Sequence, residues 1–161
     1  MTGPEAAHMP DDAAPGTPDR QRHRASRLVS QLSTRSDRLV GEGLARADAR
    51  KWHYAVLASL EDLGPASQAE LSRRTGIYRS DMVGVLNELA ERGLVVRAPD
   101  PADQRRNTIT ISASGSRRLR RLDKVLDELH EELLAPLSPA EREQFVRLLT
   151  RLVDHHAEAH H

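Results

Sequence analysis

The stretch that decides the fold is residues 67–112, SQAELSRRTGIYRSDMVGVLNELAERGLVVRAPDPADQRRNTITIS. Its first residue, Ser67, is an N-cap candidate, and Glu70, three residues later, completes a predicted capping box. Gly76 interrupts the helical pattern, and a second helix is predicted from about Arg79 to Leu89. The stretch therefore opens with a short helix, a turn that contains glycine, and a longer helix.

The hydrophobic period then changes from that of a helix to that of a strand. Residues 94–97 include β-branched valines, and residues 108–112 alternate between polar and apolar side chains. Both segments are therefore predicted to be strands. Residues 98–107 contain Pro99 and Pro101 and have a polar tip, which predicts a hairpin loop. Because two isolated strands are only marginally stable, the hairpin must pack against the helices.

This order of elements is typical of proteins that read duplex DNA. The major groove accepts one α-helix, and a helix-turn-helix braces such a helix across a short turn. A helix-glycine-helix alone also describes a helical hairpin in an ordinary α bundle, but the charged hairpin that follows favours a winged helix. The hairpin tip places two arginines where a minor groove would receive them. The candidate DNA-binding residues are Ser67, Gln68, Tyr78, Arg79, Ser80, Asp81, Asp103, Arg105 and Arg106.

Helices are predicted on both sides of this stretch. Residues 21–45 carry a narrow leucine stripe, which favours packing on a partner, and residues 49–63 form a second helix that ends at Gly64-Pro65. Ser114 is predicted to cap the next helix, which Pro136 stops. Ser138-Pro139-Ala140-Glu141 starts the last helix with a capping serine and proline at its first position.

Composition narrows the class of protein. Aromatic residues make up only 2% of the 161 residues, which suits helices packed on helices, and the absence of cysteine excludes thiol sensing and cysteine-type zinc sites. No apolar run could span a bilayer and no signal peptide is recognised, so we expect a cytoplasmic protein without membrane contact. The formal net charge of zero counts against non-specific nucleic-acid binding but allows a local positive face.

The same residues resemble the MarR family of bacterial transcriptional regulators. The resemblance is carried by residues 67–71 (SQAEL), residues 87–95 (NELAERGLV), the wing at residues 100–112, and residues 138–149. It covers about residues 25–155, and an Asp-x-Arg wing before a threonine-rich strand is its most specific part.

The resemblance implies an obligate homodimer on a palindromic double-stranded DNA operator. It implies that Asp103 orients Arg105, that Arg105 enters the minor groove, and that the second helix of the motif is the recognition helix. It also implies a repressor that releases DNA on binding a small aromatic or anionic ligand. Two-fold symmetry predicts half-sites separated by about 10 bp or a multiple of it.

The predicted fold class is mainly α (α+β), a winged helix-turn-helix with terminal helices that form a dimerisation domain. The predicted domains are a disordered tail at 1–20, a dimerisation domain at 21–48 and 114–158, and a DNA-binding domain at 49–113. The alternative function is a winged-helix module for protein–protein contact without DNA affinity. No catalytic motif is present, so no enzyme activity and no cofactor are predicted.

No motif marks the ligand pocket, so its candidates come from residue chemistry alone. An arginine would pair with a carboxylate and a histidine would add a pH-sensitive contact. In the alternative interpretation the tryptophan is a core residue and the arginines are surface or interface charges. The terminal histidines, His155-His156 and His160-His161, have no clean spacing for a metal site. The candidate ligand-binding residues are Arg27, Arg35, Arg38, Trp52 and His53.

Overall fold

The computed structural model describes residues 23–158, so the predicted tail at 1–20 and His160-His161 lie outside the described residues. The described part is rich in helix and has one small sheet, as predicted. In chain order the elements are α1 (Ala25–Arg46), α2 (Lys51–Leu63), β1 (Ala66–Ser67), α3 (Gln68–Thr75), α4 (Arg79–Glu91), β2 (Val95–Pro99), β3 (Asn107–Ile111), α5 (Ala113–Leu133) and α6 (Pro139–Glu158).

The chain divides into two compact units, one ending at Arg38 and one beginning at Leu39. In the first unit the structure describes residues 23–38, and α1 begins there at Ala25. Along this part of α1, Leu28 and Val29 are exposed apolar residues. The second unit contains the rest of the secondary structure.

The helix-turn-helix forms where the sequence predicts it. The Ser67 side chain accepts a hydrogen bond from the Glu70 backbone amide at 3.2 Å, which caps α3. The Glu70 carboxylate accepts a hydrogen bond from Arg74 Nε at 2.9 Å and also pairs with Arg73. Gly76 ends α3 with φ of 73°, the left-handed conformation that glycine adopts without a steric penalty.

The sheet has a strand that the sequence analysis missed. β1 is only two residues long and pairs antiparallel with β3, so the strand order is β1-β3-β2. In the predicted hairpin, Val95 faces Ile111 and Pro99 faces Asn107. The added strand stabilises the hairpin, because it pairs the edge of β3 that a two-stranded sheet would leave open.

A leucine- and valine-rich core holds the winged helix together. It takes residues from α2, α3, α4, α5 and all three strands, which packs the helix-turn-helix and the sheet around one centre. Four residues of α4, Met82, Val85, Leu86 and Leu89, are buried there. The core residues are Val56, Leu57, Leu60, Ala66, Leu71, Ile77, Met82, Val85, Leu86, Leu89, Val95, Ile109 and Leu119.

The start of α5 differs from the prediction. Its N-cap is Ser112, whose side chain accepts a hydrogen bond from the Gly115 amide at 3.0 Å, so the prediction of Ser114 as the cap is wrong. Ser112 also donates its hydroxyl hydrogen to the Gly93 carbonyl at 2.6 Å. The serine that follows β3 directly is the one that the sheet holds in position, and the helix therefore starts two residues earlier.

A second core joins the end of α1 to α5 within the second unit. Leu39, Leu44 and Ala49 pack with Leu122, Leu126 and Leu129. At its edge, the Tyr54 hydroxyl donates a hydrogen bond to Asp123 Oδ1 at 2.9 Å and so ties α2 to α5. Burial, followed by this hydrogen bond to a carboxylate, raises the pKa of Tyr54 to about 12.

The last helix begins as predicted and leaves its apolar residues uncovered. The Ser138 amide donates to Glu141 Oε2 at 2.8 Å, and the Glu141 amide donates to Ser138 Oγ at 3.3 Å, a complete capping box. Along α6 four large apolar side chains are exposed, which is unusual for the surface of a monomer. They are Val146, Leu148, Leu152 and Val153. No helix within residues 23–158 has the length and hydropathy that a bilayer span requires.

Gly115→Ala should destabilise the protein, because a Cβ at this position would collide with the Leu94 carbonyl oxygen in the backbone. We expect a loss of about 1–3 kcal/mol in the free energy of unfolding, the usual cost of overpacking a close backbone contact. Urea denaturation at fixed protein concentration measures it. The matched control is Gly84→Ala, where an added Cβ meets none of the described residues within 4 Å. Equal stability of the two variants would contradict the packing assigned to Gly115.

Candidate nucleic-acid interface

The start of α4 is presented to solvent. Arg79, Ser80 and Asp81 are exposed, and Tyr78, the residue at the N-cap position, is 79% exposed. The buried side of the same helix holds it against the core, so its outer side cannot turn inward. The N-terminus of the helix adds a partial positive charge to this surface, which suits contact with a phosphate.

The wing tip is organised by Asp103. Its Oδ1 accepts a hydrogen bond from the Arg105 backbone amide at 3.0 Å, and its Oδ2 lies 3.8 Å from Arg106 Nε. The Asp100 amide closes the loop by donating to the Arg106 carbonyl at 2.7 Å. Asp103 therefore contacts the backbone of Arg105, and the guanidinium group that it faces belongs to Arg106.

A groove of about 290 Å³ lies between the wing and α4. Gln68 at the start of α3 contributes to its wall, so the structure brings this predicted residue close to the wing. Two guanidinium groups and two side-chain amides border the groove. The lining residues are Gln68, Val83, Arg97, Arg106, Asn107 and Ile109.

Arg97 and Asn87 belong to this surface and were missed in the sequence analysis. Arg97 Nη1 on β2 donates a hydrogen bond to Asn87 Oδ1 on α4 at 2.8 Å, which links the wing to this helix. The signal for Asn87 was available, because it lies eight residues after Arg79 and so projects from the same side of a helix. The role of Arg97 depends on the distance between two elements, which the sequence does not show.

A polar cluster centred on Glu88 connects the C-terminal part of α4 to α2. His53 is only 3% exposed, and its Nε2 lies 2.7 Å from Glu88 Oε2. The Arg50 amide donates to His53 Nδ1 at 3.4 Å, and Arg50 Nη1 lies 3.5 Å from Glu88 Oε1. The hydrogen bond from His53, with Arg50 adding a favourable charge, lowers the pKa of Glu88 below its ordinary value.

A second contact fixes the turn between α1 and α2. Arg92, just after α4, donates hydrogen bonds to the Asp48 carbonyl at 2.9 Å and to its carboxylate at 3.1 Å. Arg118 on α5 donates to the Asp48 carbonyl at 3.0 Å and also contacts the Ala47 carbonyl. Asp48 has φ of 53°, and these two arginines stabilise its left-handed backbone.

The ligand candidates fall in different parts of the chain. Arg27, Arg35 and Arg38 lie on α1 in the first unit, and Trp52 and His53 lie on α2 in the second. Trp52 is 50% exposed, so the alternative interpretation that made it a core residue is wrong. His53 has both ring nitrogens engaged within the chain, which gives it a structural contact. A role for any of the five in ligand binding stays a prediction.

The histidines at the end of the chain are described only in part. His155 and His156 lie on α6 with their ring centroids 5.1 Å apart. Within residues 23–158, no group of three or more histidine, aspartate or glutamate side chains is arranged to hold a metal ion.

Comparison with known proteins agrees with this geometry. The model of the MarR family matches residues 42–106, from the end of α1 to the wing tip. The transcriptional regulator HosA from Escherichia coli is 31% identical over 107 residues, which cover 66% of this chain and 79% of HosA. The chain belongs to the MarR family.

Two further proteins show the extent of the similarity. The transcriptional repressor NicR from Pseudomonas putida is 31% identical over 101 residues, which cover 63% of this chain and 64% of NicR, just under two thirds of that relative. The crystal structure of the PcaV transcriptional regulator from Streptomyces coelicolor matches with a TM-score of 0.67 at 27% identity, covering 84% of this chain and 98% of PcaV. The winged helix of this chain is thus the MarR-family fold.

Glu88→Gln should reduce the dependence of stability on acid pH. Because the folded state lowers the pKa of Glu88, its carboxylate stabilises the protein above the ordinary value of 4.5, and this contribution disappears as the pH falls through the lowered pKa. The difference in unfolding free energy between wild type and Glu88→Gln should therefore shrink below about pH 4.5. Denaturation curves across the acid range measure it.

Arg50→Ala removes a charge that lowers the pKa of Glu88 less than the His53 hydrogen bond does. It should therefore reduce the acid dependence of stability in the same direction as Glu88→Gln, but by a smaller amount. A Glu88→Gln difference that stays constant as the pH falls would contradict the contacts assigned to this carboxylate.

Proposed function

We propose that this MarR-family member is a sequence-specific double-stranded DNA-binding transcriptional regulator, a repressor that a small-molecule ligand releases from its operator. The observation that carries the proposal is the groove bordered by Gln68, Val83, Arg97 and Arg106. It combines a helix presented to solvent with guanidinium and amide donors, and no carboxylate lines it among the described residues. Guanidinium and amide donors can form hydrogen bonds with the base edges in a DNA groove and with the phosphate groups on either side of it.

Each element of the surface has a role in this proposal. α4 enters the major groove, with Tyr78, Arg79, Ser80 and Asp81 at its leading end. Ser67 and Gln68 contact the neighbouring phosphate backbone from the start of α3, which presents its amide groups there. The wing tip, with Asp103, Arg105 and Arg106, places guanidinium groups at the adjacent minor groove, where a narrow groove has an enhanced negative potential.

The functional molecule in this proposal is a homodimer in the cytoplasm that binds a palindromic operator. The exposed apolar residues of α6 support a homodimer, because contact between several large apolar side chains and water is unfavourable. Packing against α6 of a second copy of the chain would bury them. The dimerisation domain is assigned to residues 21–48 and 114–158, and the DNA-binding domain to residues 49–113. The name of NicR, a transcriptional repressor, supports repression as the direction of control.

Release by a ligand requires that the part of the chain around the ligand communicates with α4. The contacts that would do this are Asp48 with Arg92 and His53 with Glu88, because they connect the turn before α2 and α2 itself to the recognition helix. A small aromatic or anionic ligand near Trp52 would compete with or displace these contacts. Both contacts lie outside the groove, so their loss would reorient the helix without blocking it.

Arg105→Ala should weaken binding to an operator selected from a random duplex pool. It should also lower the slope of log affinity against log salt by about one, because one phosphate-neutralising cation is lost. Fluorescence anisotropy at several salt concentrations measures both. The matched control, Arg147→Ala, removes an exposed arginine of α6 and should leave the slope unchanged.

Failure of the pool to yield any enriched sequence, together with salt-independent behaviour, would contradict DNA binding. The alternative, a winged-helix module for protein contact, is favoured by the net charge of zero and would then be tested by pull-down of a partner.

Leu152→Glu should convert the dimer into monomers and abolish operator binding, since a charge on the apolar surface of α6 would be buried between subunits without a partner. Sedimentation velocity and anisotropy measure the two effects. Arg147→Glu is the control, because Arg147 is exposed and has no apolar residue three or four positions away along the helix. A Leu152→Glu variant that remains dimeric would rule out this surface as the interface.

A further inference from the structure

The outer side of the recognition helix carries a single large apolar side chain. Val83 on α4 is 44% exposed, and no other large apolar residue of α4 is exposed. The partly buried apolar residues that pack against the winged-helix core come from elsewhere: Tyr54, Ala58, Ala90, Leu94 and Ile111. Core packing therefore leaves Val83 available at the surface.

Val83 borders the groove together with four polar residues and Ile109, which is itself buried in the core. One of the polar residues, Arg97, is in turn hydrogen-bonded to Asn87. The major-groove edge of DNA carries one apolar group, the C5 methyl of thymine, whereas its other groups are hydrogen-bond donors and acceptors.

The neighbouring residue, Gly84, has no evident structural reason to be glycine. It lies in the interior of α4, where glycine is a poor helix former, and its backbone has no positive φ. A Cβ built at Gly84 meets no atom within 4 Å in the described part of the chain, so no contact within residues 23–158 requires its absence. Glycine also serves where another molecule approaches the backbone closely, and that use fits this position.

We propose that Val83 contacts the C5 methyl group of a thymine in each operator half-site, and that Gly84 lets the helix approach the base edges closely enough for this contact. The inference rests on the proposed function and adds to it a specificity-determining residue and the base that it reads. The Arg97–Asn87 hydrogen bond holds the wing beside Val83 and so restricts how the helix sits in the groove.

Replacing thymine by deoxyuridine removes the methyl group and keeps every hydrogen-bonding group of the base. In the operator selected from the random pool, each thymine of one half-site is replaced in turn. Wild-type protein should bind about fourfold more weakly at the contacted position, the change expected from losing one buried methyl group. Val83→Ala should bind the thymine and deoxyuridine operators with equal affinity at that position.

The matched control is Val96→Ala. Val96 is exposed to a degree similar to that of Val83. It directly precedes Arg97 on β2, and because side chains alternate between the faces of a strand, it lies on the face opposite Arg97. This variant should keep the full sensitivity to the methyl group. Gly84→Ala should have a thermal midpoint that is unchanged or higher, together with a weaker affinity for the operator. A folding defect would instead lower both.

The outcomes separate this inference from the proposed function. An enriched operator whose thymines can all be replaced without loss, or a Val83→Ala variant that keeps the methyl sensitivity, would overturn the role of Val83 and leave DNA binding intact. An unchanged operator affinity of Gly84→Ala would overturn the close approach. If no sequence is enriched at all, the proposed function fails and this inference fails with it.

Discussion

The structure depends on the burial of one side of α4. Met82, Leu86 and Leu89 are fully enclosed by the winged-helix core, and each would lose about 1.5–3 kcal/mol of favourable transfer free energy if it were exposed. Rotation of the helix about its axis is therefore very unfavourable. The residues on the other side of the helix, Val83, Gly84 and Asn87, face outward, and they are the ones that a groove of DNA would meet.

Polar contacts determine where the helix points once its rotation is set. Glu88 joins it to α2 through His53, Arg92 joins its end to the turn at Asp48, and Asn87 joins it to the wing through Arg97. Individually such contacts contribute little stability at an exposed surface. Together they hold the helix from three directions, which makes its position sensitive to movement of the elements around it.

Much of this architecture could be predicted because its signals are local. The N-cap at Ser67, the left-handed turn at Gly76 and the capping box at Ser138 each depend on residues within one or two turns of helix. The two-residue strand at Ala66 has no such signal, since it exists only where β3 lies beside it. The choice of Ser112 over Ser114 as the cap of α5 likewise depends on where β3 ends.

The amino-acid sequence by itself determined the order of elements, the inward side of the recognition helix and the charge of the wing, because hydrophobic period and capping chemistry are properties of neighbouring residues. Only the tertiary structure decided which guanidinium group Asp103 faces, that Arg97 reaches Asn87, and that His53 is held by Glu88. The contacts of Arg97 and His53 join different secondary-structure elements, and the contact of Asp103 depends on the conformation of the wing loop. Their distances follow from packing and backbone geometry, which residue spacing alone does not specify.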